Sequence, residues 1–169
     1  MLKQIDAAPK LSEDHQSPYL CSYFLYSKAM NLSKSDIAKR QIETACEIFL
    51  NEGDFLAIVT LAGAAEEILG NLLKRAGKAN SMDDIVALDQ RLSGGRPFKD
   101  VIAEVNAARN ALKHARDASE DTVQVRPEDA HAMLSRAISN YVSLTEDISE
   151  SMLFVFNRII ALHHPSVAG

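Results

Sequence analysis

The sequence predicts an all-α protein, an antiparallel bundle of four to five core helices, and three observations carry that expectation. Apolar residues recur at helical spacing along most of the chain, strand-like alternation of useful length is absent, and the segments between periodic stretches are short. The composition agrees, since 47% hydrophobic and 24% charged residues with only seven Gly and five Pro suit a globular chain rich in regular structure. At 169 residues the chain is about one domain long and can bury roughly two-thirds of the surface that its unfolded form exposes.

Residues 1–32 read as an arm, polar and punctuated by Pro, with the aromatic cluster "SPYLCSYFLYS" suited to packing on the bundle or on a second subunit. Residues 33–165 read as the bundle domain. Its first helix opens at Ser33, with Asp36 three residues on as a capping partner, and presents Ala38, Ile42, Ala45 and Phe49 before Gly53 stops it. The second runs through "DFLAIVTLAGAAEEILGNLLKRAG", with Ile58, Leu61, Ala65, Ile68 and Leu72 as its stripe and Gly77 at the position after the cap. Ser81 and Asp84 offer a capping box for "MDDIVALDQRL", which ends at Ser93-Gly94-Gly95. Pro97 suits the first turn of "PFKDVIAEVNAARNALKHARDA", with Val101, Val105, Ala108, Leu112 and Ala115 as its stripe. A connector follows, and from Pro127 a long helix carries Ala130, Leu134, Ala137, Tyr141, Leu144 and Ile148 toward a continuation or kink near Ser149 to Ser151 and then "MLFVFNRIIAL".

The formal charge of −5 excludes a broad electrostatic DNA binder, because non-specific duplex affinity needs many Lys and Arg contacts with phosphate. Cys21 and Cys46 form no Cys-x-x-Cys pair and, with no signal-peptide pattern, fit buried thiols in a reducing cytoplasm. The longest nearly apolar run, Phe55 to Ala65, is too short for a membrane span. A carboxylate-bridged metal bundle needs Glu-x-x-His on two helices, and this chain offers that spacing once, from Glu128 to His131. His163 and His164 are adjacent, point about 100° apart on a helix, and read as a fraying last turn. Ser93-Gly94-Gly95-Arg96 reads as a helix stop, with a small anion nest as the alternative. Neither a metal nor a cofactor is expected.

The chemically dense stretch is "VNAARNALKHARD", residues 105–117. On a regular wheel with Val105 at zero, Arg116 and Arg109 lie at about 20° and 40°, Lys113 near 80°, Asn110 near 140° and His114 near 180°. Asn110 and His114 therefore face away from the core, beside the small residues Ala103, Ala107, Ala111 and Ala118, which permit close approach of another helix. A solvated face with pairs such as Lys113 to Asp117 is the plainer alternative.

"RNALKHARD" resembles the motif of HEPN domains (higher eukaryotes and prokaryotes nucleotide-binding), an all-helical family marked by Arg, a polar residue and a following His; "LAGAAEEILGNLLKRAG" resembles the long helix before that motif. Arg109, Asn110 and His114 fill the motif, and the likeness in helix order covers roughly residues 35–148. The bare spacing recurs at Arg126 to His131 and Arg158 to His163, so the polar second residue and the place late in a helix are what distinguish the first copy. The family's frequent Tyr two residues after the His is Arg116 here.

The resemblance implies a cytoplasmic homodimer acting on RNA, a metal-independent endoribonuclease of toxin or defence type, with an antitoxin or nucleotidyltransferase as a candidate partner. His114 would serve as general acid/base, Arg109 would stabilise the phosphate and Asn110 would orient the imidazole or the phosphate, with Lys113 and Arg116 widening the basic patch. On a regular helix Arg109 and His114 diverge by about 140°, so either the helix loosens near Lys113 or Arg from one subunit works with His from the other, a difficulty that a dimer resolves. Glu66 and Glu67 could reach the same cleft, but "AAEEILG" equally suits an exposed helix face, and both stay outside this expected site. The alternative function is a non-catalytic helical module binding a nucleotide or a protein through the same strip.

Overall fold

A computed structural model describes residues 29–92, 96–114 and 121–163. Among them are seven helices and no strand. The arm expected over residues 1–32 lies, except for its last four residues, outside the described residues.

Helix α1 (Lys34–Leu50) starts where the sequence places it. Ser33 Oγ accepts the Asp36 N–H at 3.0 Å and the Asp36 carboxylate accepts the Ser33 N–H at 3.2 Å, a reciprocal pair that satisfies two orphan donors. Ala38, Ile42, Ala45 and Cys46 are fully buried. Burial, with Glu43 and Glu47 adding to it, pushes the Cys46 thiol up to about 12, so it packs as a small hydrophobe.

Helix α2 (Phe55–Arg75) ends in a Schellman turn: Gly77 has φ +68° and the Lys78 N–H reaches the Leu73 carbonyl at 3.0 Å. Its buried face is rotated from the expected stripe. Ile58 and Ala65 are buried as read, but Val59, Ala62, Leu69 and Leu73 replace Leu61, Ile68 and Leu72, which are only half-buried. The rotation brings Glu66 inside. At 21 residues α2 is long and apolar enough to cross a membrane by length and composition alone, yet here it packs between α1 and α6.

Helix α3 (Ser81–Leu92) is capped one residue earlier than expected. Asn80 Oδ1 accepts the Met82 and Asp83 N–H groups, while Asp83 returns a bond to the Asn80 N–H. The Ser81 N–H donates instead to Asn140 Oδ1 on α6 at 2.8 Å. The segment expected as one helix over 97–118 is divided into α4 (Phe98–Val105) and α5 (Ala107–Ala111), with Asn106 between them at φ −102°, ψ 4°. The break has a visible cause. Arg136 inserts from the following helix and donates to the Val105 carbonyl and to Asn106 Oδ1, both at 3.1 Å, giving the backbone a partner outside its own ladder. Arg96 donates to Asp89 and Glu104 and joins α3 to α4, so it is no free anion-nest cation; Ser93, Gly94 and Gly95 lie outside the described residues.

Helix α6 (Pro127–Thr145) begins with its Pro and ends at Glu146, whose φ of 57° turns the chain before α7 (Glu150–His163). The expected run to Ile148 is thus three residues too long. Helices α1, α2, α6 and α7 supply the main apolar core, centred on Ile42, Val59, Leu69, Leu134, Ile138 and Val155. Helix α5 rests on α2, and α3 on α6.

Candidate functional site

The close approach of α5 to α2 is set by a glycine. A Cβ at Gly63 would stand 2.8 Å from Cδ and 2.9 Å from Cγ of Arg109, so only the missing side chain admits the arginine stem. Gly in a helix interior costs roughly 1 kcal/mol against Ala, and here the cost secures this crossing.

One turn further along α2, Glu66 receives the guanidinium. Arg109 Nη1 donates to Glu66 Oε2 at 3.1 Å and stands 3.7 Å from Glu67 Oε2. On the other side of Glu66, Arg136 Nη2 lies 3.8 Å from Oε1 and also meets Met133 Sδ at 3.1 Å. Lys113 Nζ lies 3.6 Å from Glu67 Oε2. Glu66, Asn106 and Arg136 are each more than nine-tenths buried, whereas Glu67 and Lys113 reach solvent. Burial pulls the pKa of Arg136 below its usual value; Glu66 opposes that and Arg109 assists it. Three cations face two carboxylates in this cluster, leaving one positive charge in excess although the chain as a whole carries −5.

Asn110 and His114 lie on the outer side. Helix α5 ends at Ala111, and the Leu112 and Lys113 N–H groups close back on Ala108 and Asn110 before the chain leaves the helix at His114. Asn110, Lys113 and His114 are exposed, and Arg109 keeps 14% of its side chain accessible. The wheel places Arg109 at the core edge with Asn110 and His114 outward, and the chain has that order although the helix is broken. Arg116, Ala115 and Ala118 lie outside the described residues. Ala107, Ala108 and Ala111 face Ala132 and Arg136 across a groove of about 600 Å³ between α5 and α6.

The sequence reading names Glu66 near the cleft but leaves it out of the site, and it does not single out Arg136 or Asn106. The one available signal was Gly63 inside an otherwise strong helix, one turn before paired glutamates. A second cluster also went unread. His131 Nδ1 and His163 Nε2 meet at 3.1 Å, and the edge of His131 packs on Phe49 with centroids 5.5 Å apart. His163 is therefore held by a partner rather than frayed; His164 is outside the described residues.

Burial lowers the pKa of His131, His163 reinforces the shift and Glu128 opposes it. The unfolded chain then takes up this proton more readily than the fold, with its histidine near the ordinary value of about 6.5. The stability this residue contributes is complete above that pH and is lost as pH falls below it. Urea unfolding in EDTA should show the midpoint dropping between about pH 6.5 and 5.5, and His131→Phe should flatten that drop. An equal slope in both proteins would contradict it.

No known protein family, curated protein or solved structure matches this chain.

Proposed function

We propose that the chain is a HEPN-like homodimer that cleaves RNA without a metal, with the end of α5 as its working surface. The observation that carries this reading is the division of labour along Arg109-Asn110-x3-His114. Arg109 is fixed at its inner edge by Glu66, and Asn110 and His114 stand in solvent beside Lys113. A guanidinium held along one edge is preorganised for phosphate on its remaining donors, which stabilises developing charge without reorganisation. An exposed imidazole can take the proton of a ribose 2′-OH and return one to the leaving 5′ oxygen. The Ala107 and Ala111 surface permits a second copy to bring its own strip opposite. An RNase of toxin or defence type, with an antitoxin or nucleotidyltransferase partner, is the biological setting this chemistry suits.

A specific observation favours a second reading, a non-catalytic module that binds a nucleotide or a protein through the same strip. Glu66 and Glu67 already answer Arg109 and Lys113, which lowers the charge on offer to a phosphate. Incubating total RNA in EDTA with the purified protein and with His114→Ala separates the two. Cleavage by the first alone supports the nuclease; intact RNA in both, or equal cleavage, overturns the assignment of cleavage to His114 and leaves the binding reading.

A further inference from the structure

Between α6 and the end of α7, away from the Arg109 strip, two imidazoles from different helices face each other. Nδ1 of His131 and Nε2 of His163 are 3.1 Å apart. Their rings stand at 71° with centroids 5.3 Å apart, so they share an edge and do not stack. A hydrogen bond accounts for the contact, yet the spacing also has the dimensions of a chelate. Two nitrogens each about 2.05 Å from one ion stand about 2.9 Å apart at a right angle and about 3.3 Å at the tetrahedral angle.

We infer that His131 and His163 form a two-histidine anchor for a first-row divalent cation of the Zn²⁺ or Cu²⁺ type, closing the end of α7 onto the first turns of α6. Imidazole suits these ions better than Mg²⁺ or Ca²⁺, which prefer oxygen. In the metal-free pair one ring donates its N–H to the other. On binding, that ring carries its proton on its second nitrogen, so both facing nitrogens present lone pairs and no net proton is released.

The surroundings support coordination. Phe49 packs edge-on against His131 and fixes its plane. Glu128, one turn earlier on α6, interacts favourably with positive charge at His131, and Glu52 lines the adjoining cavity of about 270 Å³. Arg158 is the opposing charge: it lines the same cavity with its guanidinium 5.8 Å from the centre of the Phe49 ring. Among the described residues no group of three His, Cys, Asp or Glu is gathered for a metal, so the remaining positions belong to water or an external ligand and the ion exchanges freely. The Glu128-x-x-His131 spacing, too sparse for a dinuclear bundle, here finds its second imidazole on α7.

The test is a Zn²⁺ titration of the tag-free full chain, followed by imidazole ¹⁵N resonances and by thermal unfolding. One equivalent should shift His131 Nδ1 and His163 Nε2 together and raise the melting temperature, since an ion bound only by the fold stabilises it. His131→Asn and His163→Asn should each weaken binding about tenfold or more, in line with what ligand-shell substitutions cost, while His164→Ala should not. The inference is overturned if the two resonances stay unmoved, if binding survives both Asn variants, or if His164→Ala abolishes it.

Discussion

Glu66→Ala should destabilise the fold by about 3–5 kcal/mol, because it leaves the buried Arg136 guanidinium, and the part-buried Arg109 beside it, without their shared anion. For a chain of this length that corresponds to a fall of roughly 6–20 °C in melting temperature. Glu66 is 6% exposed and lies between Arg109 at 3.1 Å and Arg136 at 3.8 Å. Arg136 spends its other bonds on the Val105 carbonyl and Asn106 Oδ1, and the Nε atoms of both arginines are buried with no partner. Arg136 has no water to fall back on, and Arg109 keeps only the solvent edge beside Glu67. Glu67→Ala is the control. Its side chain is 55% exposed and its nearest cation is 3.6 Å away, so its loss should cost no more than about 1 kcal/mol. Glu66→Gln, which keeps an acceptor and loses the charge, should fall between them. Equal midpoints for the two alanine variants in urea would show that the cluster is not a structural unit.

The same cluster explains which parts of the molecule were legible in the sequence. The Ser33–Asp36 box and the Gly77 stop are local devices whose partners lie within a few residues, and both stand where the sequence puts them. The face of α2 was misread because a glutamate on a wheel counts as solvent-facing. What makes Glu66 a core residue is Arg136, on a helix 70 positions away, and that pairing leaves no periodic trace. The interruption at Asn106 has the same origin, since the side chain that supports it again comes from α6. Asn80 displaced Ser81 as the cap of α3 for a related reason: Asn140, buried on α6, claims the Ser81 N–H. Arg109, Asn110 and His114 fared better because their order depends on a single six-residue segment of the chain.

That order leads to the second large effect, which rests on the proposed RNA cleavage. Removing a general acid/base costs about 10²–10⁴ in rate, so His114→Ala should be nearly silent. Arg109→Gln should be similarly weak through loss of the phosphate contact, and because it also withdraws the Nη1 bond from the buried Glu66, its melting temperature is measured beside its activity. Mixing the two dead variants distinguishes the site's architecture. If Arg109 of one protomer works with His114 of the other, a mixed dimer has one site built from two altered residues and one built from two native ones. Random reassortment makes half of all dimers mixed, each with one competent site in two. Cleavage should therefore recover to about one quarter of the native rate, roughly 25- to 2,500-fold above either variant alone. If both groups act within one protomer, no combination restores a complete site and the mixture stays as inactive as its parts. Unfolding and reassembling the chains together, against a control of each variant reassembled alone, makes the comparison independent of how fast the dimers exchange.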